Sequence, residues 1–249
     1  MTITNTQSGT SIQEIAENIY RISTPTREIP GGFSFNQYLI VDDEPLLFHL
    51  GMRKLFPLVR EAVAAVLTPE KLRYLAFSHM EPDECGAVDP WLALAPQAQP
   101  VCGRIGAMIG QDLADRPPRG LAHGETLKLG KHEVSWQDAP HLPHGWDCGF
   151  MIDRFTQTLF CGDLFTQGGE ARQALVETDI LGPSEAFRKK MDYFSHTQNL
   201  RPLMQNLIEL KPRTLACMHG HAWRGDGGKL LQELMESLGS GRVSTEAWT

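Results

Sequence analysis

His79-Met80-Glu81-Pro82-Asp83-Glu84 decides how this chain is read, because three potential metal ligands stand at i, i+2 and i+4 directly behind the apolar, strand-like run Leu72 to Phe77. That spacing is not helical. In an extended segment alternate side chains share a side, so His79, Glu81 and Asp83 can converge while Met80 and Pro82 face away. Pro82 disfavours the α region for Glu81 and brings no N–H to a helix, so the segment is expected to stay extended. Taken alone, the stretch reads equally well as a solvated acidic loop with one histidine. The rest of the chain decides between the two.

Three further segments follow the same grammar, each a strand-like run ending in ligand-type residues. Glu133 to Ala139 leads into His141-Leu142-Pro143-His144, Thr158 to Cys161 into Gly162-Asp163, and Thr214 to Cys217 into Met218-His219-Gly220-His221. A sheet produces this pattern when several strands deliver loops to one rim, where functional groups collect. Histidines and acids at four strand ends point to a metal cluster.

The acids then choose among metals. His79, Glu81, Asp83, His144, Asp163 and one of His219 or His221 supply three imidazoles and three carboxylates, with no thiolate needed. Closed zinc sites prefer Cys and His, whereas a carboxylate-rich mixed set suits iron or manganese as well as catalytic zinc. Six ligands are too many for one metal that keeps an open position. Two metals about 3.5–4 Å apart, bridged by a carboxylate and a water-derived oxygen, accommodate them. The expected carboxylate bridge is Asp163. Three negative charges balance half of a diferric pair and leave charge for an oxo, hydroxo or peroxo bridge.

These residues carry a resemblance. The order His-x-Glu-x-Asp, His-x-x-Asp, Gly-Asp, His-Gly-x-x-Trp resembles the metallo-β-lactamase superfamily, and within it the di-iron domain of flavodiiron proteins and their stand-alone oxygen-binding relatives. The resemblance runs from about Phe33 to about Met235. It is carried by Phe77-Ser78-His79-Met80-Glu81-Pro82-Asp83-Glu84-Cys85-Gly86, by Pro140-His141-Leu142-Pro143-His144-Gly145-Trp146-Asp147, by Cys161-Gly162-Asp163-Leu164-Phe165, and by Met218-His219-Gly220. It implies that His79, Glu81 and His144 hold one iron and Asp83 and His219 the other, with Asp163 between them. It also implies an αββα sandwich of two mixed β-sheets with helices outside, an α/β fold.

The sequence departs from the hydrolytic branch of that superfamily, which has His where Glu81 and Glu84 stand. The loss of two imidazoles favours iron over zinc. Flavodiiron proteins also tend to carry His at the Glu84 position. Glu84 is therefore read first as an outer partner of the ligands, with direct ligation and proton transfer as its other possible roles. His219 fits the di-iron pattern better than His221 through His219-Gly220-x-x-Trp223. His141 is an outer partner or a loop histidine without a role.

Composition agrees with a single domain over residues 1–249. At 249 residues, 41% hydrophobic and 21% charged, the chain can bury roughly 70–75% of its unfolded surface. Few residues follow Met235, so neither the flavodoxin-like domain of flavodiiron proteins nor bound FMN is expected. The five cysteines include no C-x-x-C pair and read as reduced thiols in a cytoplasmic protein. Cys85 and Cys148 lie near the proposed metals and are read as small buried hydrophobes. The stretch Met1 to Thr10 lacks the basic start and apolar core of a secretion signal, and no apolar run exceeds Ala62 to Leu67, so no membrane span is expected. Net charge is −7, and Arg188-Lys189-Lys190 reads as a solvated helix face, which argues against nucleic acid.

Strands are expected near Ile19–Ile22, Gln37–Val41, Leu46–His49 and Leu72–Phe77, with a helix from about Leu55 to Val66. Helical stretches follow near Ala87–Ala95 and Arg104–Ala114, then a strand-rich middle from Glu125 to Cys161 with a hairpin turn at Arg154 to Gln157. One long helical region runs from Pro183 to about Leu210, the last strand is Leu215–Met218, and a helix spans about Gly227 to Leu238. Gly225-Asp226-Gly227-Gly228-Lys229 lacks the phosphate-loop spacing and reads as a helix start. Helical-bundle di-iron sites use Glu-x-x-His pairs, and none occurs here.

Two function classes remain. The first is a non-haem di-iron protein that binds O₂, and reduces it or NO with an external electron donor, or serves as an oxygen sensor through a signalling partner; a homodimer is compatible with either. The alternative is a metal-dependent hydrolase acting on an ester, thioester or phosphodiester.

Overall fold

The computed structural model describes residues 1–240. Two sheets form the frame. The first contains β1 (Thr2–Asn5), β2 (Thr10–Ala16), β3 (Ile19–Thr26), β4 (Phe33–Ile40), β5 (Leu46–Phe48), β6 (Tyr74–Ala76), β7 (Gln99–Gly103) and β8 (Arg119–Leu121), in sequence order. It is antiparallel through β5 and parallel from β5 to β8. The second contains β9 (Thr126–Lys128), β10 (Glu133–Asp138), β11 (Gly149–Asp153), β12 (Thr158–Phe160), β13 (Leu175–Val176), β14 (Thr214–Ala216) and β15 (Ala222–Arg224), ordered β13-β15-β14-β12-β11-β10-β9.

Strand alternation sorts the apolar side chains into three layers. Leu46, Phe48, Ala76 and Val101 of the first sheet meet Trp136, Met151, Phe160 and Ala216 of the second in an inter-sheet core. Their strand neighbours point outward. Leu47 and Leu75 pack beneath α1 (Phe56–Ala64) and, past the turn α2 (Pro82–Cys85), beneath α3 (Val88–Leu94). Ile152, Leu159 and Leu215 pack beneath α6 (Leu200–Glu209) and α7 (Gly227–Ser240). Each strand thus serves one core on each face, the arrangement that two aligned sheets with outer helices require. The expected αββα sandwich is the observed fold. Among the described residues, no helix is long and apolar enough to cross a membrane.

Four expectations are corrected. The segment His79–Glu84 is not extended throughout. Glu81 is extended at φ −126°, ψ 159°, and then Pro82 opens α2. Proline is favoured at the first helical position, where its missing N–H has no intrahelical partner anyway, and Asp83 and Glu84 suit a helix's first turn. The single helix from Pro183 to Leu210 is two, α5 (Leu181–Met191) and α6, separated where Asp192 turns left-handed at φ +46°. The helix beginning at Arg104, α4 (Arg104–Ile109), stops at Gly110 rather than Ala114. Thr214–Ala216 is followed by another strand, β15, which folds back antiparallel to it. β1 and β2, with their mixed polar sequences, had no strand signal strong enough to read.

β5 and β6 run parallel, as do β12 and β14, and β11 is antiparallel to both β10 and β12. The C-terminal ends of β10, β12 and β14 therefore open on one edge of the second sheet, and the loops after them and after β6 carry the ligand-type residues.

Candidate metal centre

Those four loops bring the six expected ligands together in two groups. In the first, His79 Nε2 lies 3.1 Å from His144 Nε2, 3.6 Å from Glu81 Oε1 and 3.5 Å from Asp163 Oδ2. His144 Nε2 is 3.1 Å from Glu81 Oε1 and 3.3 Å from Asp163 Oδ2. In the second, His219 Nε2 lies 3.4 Å from Asp83 Oδ2 and 3.3 Å from Asp163 Oδ1. Ligand atoms held about 2.0–2.2 Å from a shared ion stand about 3.0–3.6 Å from each other. The spacing of both groups fits that figure, and two imidazole nitrogens facing each other inside a ring of carboxylates have no better explanation as a hydrogen-bond network.

Asp163 joins the groups. Its Oδ2 faces the first and its Oδ1 the second, and Oδ1 is buried without a hydrogen bond of proper geometry. The turn at Pro82 makes the division possible: it leaves Glu81 beside His79 and swings Asp83 towards His219. Gly162, at φ +49°, lets the Asp163 loop pass close to Ser78, whose Oγ a Cβ at position 162 would meet at 3.3 Å.

The histidines are oriented from behind. His219 Nδ1–H donates to the Ser34 carbonyl at 2.9 Å, which leaves Nε2 for the centre. The His219 loop is stitched to the first sheet by Arg21, which donates to the Gly220 carbonyl at 2.7 Å, and by the Asn36 amide, which donates to the carbonyls of Cys217 and Gly220. Gly220, at φ +93°, sits against Gln167, where a Cβ would come within 2.7 Å. The Phe33 ring covers that of His219 at 4.4 Å between centroids. Tyr193, delivered by the break between α5 and α6, donates to the Asp163 carbonyl at 3.1 Å and meets the His144 ring edge-on. Met80 N–H donates to Asp147 Oδ2 at 2.9 Å and so fixes the bend after His79.

The electrostatics call for positive charge. Burial alone would lower the pKa of His144, but its hydrogen bonds to Asp163 and Glu81 outweigh that and raise it to about 10. Burial is likewise overcome at His219, where Asp163 and Asp83 raise it to about 10. Hydrogen bonds from His144 and His79 hold Glu81 down at about 2. Asp163, despite complete burial, stays well below the ordinary range because His144 and His219 face it. Without metal, two protonated imidazoles stand in for cations.

Glu84 is the exception among the acids. It is fully buried, no protein donor reaches either oxygen, and burial together with Asp163 and Asp83 pushes its pKa well up. Its carboxylate lies within ligand reach of the His79–Glu81 pair and of the Asp83–His219 pair. The side-chain hydrogen bond it shares with Asp83 lowers the Asp83 pKa and raises its own, the contact of an outer partner.

The structure does not bring His141 or His221 into either group. His141 is exposed at φ +65°. His221 is half-buried and turned away, its Nδ1 3.1 Å from Gln167 Oε1. Cys85 and Cys148 direct their thiols at the carbonyls of Glu81 and Leu142, and burial raises both pKa values. Sequence reasoning passed over Ser34 and Tyr193, which lie in no motif, and gave no role to Ser78, although it stands inside the Phe77–Gly86 motif. His49, at the end of an expected strand, had a signal that went unused.

Residues 33–220 match the family described as ODP family beta lactamase. Among curated proteins the chain is similar to the rubredoxin-oxygen oxidoreductase of Megalodesulfovibrio gigas, 26% identical over 79% of this chain and 50% of that protein. It is also similar to the nitric oxide reductase of Moorella thermoacetica, 27% identical over 86% of this chain and 56% of that protein. The chain spans between about a quarter and about half of the length of such relatives. In fold it matches the metal-soaked flavodiiron core of Flv1 from Synechocystis, with a TM-score of 0.81 and 20% identity over 92% of this chain and 60% of that one. With a family match over most of its length, two mixed sheets of the matching architecture and a rim of histidines and carboxylates, this chain belongs to the ODP family of β-lactamase-fold proteins, whose relatives here are flavodiiron proteins.

Proposed function

We propose that the chain is a non-haem di-iron protein that binds O₂ or NO at the two-group centre, with electrons for any turnover drawn from a separate donor. The observation that carries this reading is Asp163, whose two oxygens each address a different group of ligand atoms. His79, Glu81 and His144 would hold one ion and Asp83 and His219 the other, with Asp163 facing both groups. Three imidazoles, three carboxylates and no thiolate form a donor set for iron or manganese rather than for a closed zinc site. Iron, when bound, supplies the redox chemistry that zinc lacks.

The protein's own residues do the rest. Ser34 orients the His219 ring. The Phe33 ring excludes water from the inner side. Tyr193 closes over His144. Glu84, buried beside Asp83 with its pKa pushed well up, would stand as a further carboxyl group within reach of the ions.

The test is metal analysis of protein expressed with iron, together with optical spectra of the reduced form before and after O₂. About two irons per chain and a new absorption band on exposure are expected. If zinc outcompetes iron under balanced supply and the protein then hydrolyses esters, thioesters or phosphodiesters, the hydrolase reading replaces this one.

A further inference from the structure

Two buried histidines stand outside the six ligands: His132, which faces Asp153 at 3.2 Å, and His49, whose contacts run towards the centre. His49 directly follows β5, is fully buried, and adopts φ +62°. That left-handed conformation costs free energy in a residue with a Cβ and persists where surroundings dictate it. Here its backbone N–H donates to the Ala76 carbonyl at 2.8 Å, and its ring folds back over Phe48 at 4.4 Å between centroids. The result is a short chain of contacts leading to the metal centre: His49 Nε2 lies 3.0 Å from Ser78 Oγ, and Ser78 Oγ lies 2.9 Å from His79 Nδ1.

The direction of each hydrogen bond follows from the centre. With an ion held on Nε2 among Glu81, His144 and Asp163, the His79 proton would sit on Nδ1 and be donated to Ser78 Oγ. The hydroxyl then has one proton to give, and His49 Nε2 is there to accept it. Burial holds His49 neutral, its pKa lowered to about 3, so the ring keeps an unprotonated nitrogen for this purpose. The Ser78 carbonyl is also held, by the Gly149 N–H at 3.0 Å, so the hydroxyl pivots on a fixed backbone.

We propose that His49 is a positioning residue for the metal centre: through the Ser78 hydroxyl it fixes the tautomer and ring plane of His79, and thereby the first ion. This rests on the two-metal reading above. His219 receives the same service directly from a backbone carbonyl, which no side-chain substitution can remove. His79 receives it from two side chains in series and can lose it by a single mutation. Partners of this kind are worth about 10- to 100-fold in metal affinity.

The experiment titrates metal-free full-length protein with Co²⁺, whose visible bands report ligand geometry, and checks affinity for Fe²⁺ by chelator competition. Wild type should take up two ions, and Glu81→Ala identifies the step belonging to the first. His49→Phe, which fills the space without accepting a hydrogen bond, should weaken that step about 10- to 100-fold and shift its bands, leaving the second step in place. His49→Gln, which can place an acceptor near the Nε2 position, should restore affinity to within a few-fold of wild type. Ser78→Ala should repeat the loss, and adding His49→Phe to it should cost nothing more. If His49→Phe proves unable to fold, Ser78→Ala and His49→Gln still decide the matter.

The proposal is overturned if His49→Phe or Ser78→Ala binds the first ion like wild type, if Phe and Gln behave alike at position 49, or if both steps weaken equally. If wild type itself takes up fewer than two ions, the two-metal reading fails first and this inference with it.

Discussion

The two halves of the centre share Asp163 but differ in exposure. In the first, the Glu81 side chain is 45% and His144 20% accessible. In the second, His219 is 8% and Asp83 18% accessible, with Phe33 laid over the imidazole. The outer half faces the solvent, beside exposed Trp146. The inner half is enclosed by ring and sheet. On the proposed di-iron reading, a small ligand would reach the first half more readily than the second. One motif feeds both halves because a proline turn separates Glu81 from Asp83.

The most severe way to break this comparison is to remove what the halves share. Asp163→Asn should reduce bound metal from about two ions to near none, whereas Glu81→Ala should leave about one, as read by elemental analysis. Equal partial loss in the two variants would count against Asp163 as the link. Next in size are the histidines. His219→Ala should strip the inner ion and His144→Ala the outer one, while His221→Ala keeps both. An imidazole nitrogen of His221 found about 2.0–2.2 Å from a metal in a loaded crystal would reverse the choice between the last two histidines.

Protons sharpen the contrast further. His144 and His219, each raised to about 10 in the metal-free fold, carry a proton at neutral pH that an incoming ion must displace. Loading at pH 7 to 8 should release about one proton per half, and affinity should fall as pH falls. Potentiometric release near zero would show that these rings are already neutral. The stability of the metal-free protein should move the other way. A raised histidine pKa stabilises fully below the unfolded value of about 6.5, and that contribution is lost as pH rises towards about 10. Thermal melts of metal-free protein should therefore decline across that window. The smallest effect is expected at Phe33. Phe33→Leu nearly preserves volume and should cost about 1 kcal/mol of stability, yet speed release of the inner ion several-fold. A stopped-flow chelation trace identical to wild type would mean that the ring is not the barrier.

Much of this was legible before any coordinates. The fold class followed from strand-like runs ending in His, Glu and Asp, because strands of one sandwich deliver their ends to a common rim. The two groups also follow the division implied by resemblance, and His219 rather than His221 faces the carboxylates. What was misread is instructive. Pro82 was taken to forbid a helix, but a helix's first position asks nothing of an N–H, so Pro82 begins one. The helix break at Asp192 left no trace because a single left-handed residue costs little and has no composition signature. Yet that break delivers Tyr193. That Glu84 is fully buried beside Asp83 could not be read from one sequence, which shows no burial. Ser34 holds His219 through its carbonyl and the Gly220 N–H through its hydroxyl, and a lone serine with no motif around it announces neither partner.

One feature of the architecture reaches beyond chemistry at the rim. His79, Glu81 and Asp83 descend from the first sheet, while His144, Asp163 and His219 descend from the second. Bound ions would therefore be clasps across the open edge of the sandwich. Each site filled to a hundred times its dissociation constant adds about 2.7 kcal/mol to the folded state. Metal supply would then govern how long the chain survives proteolysis as well as what it can do, and starved protein would be expected to come apart first along the seam between its sheets.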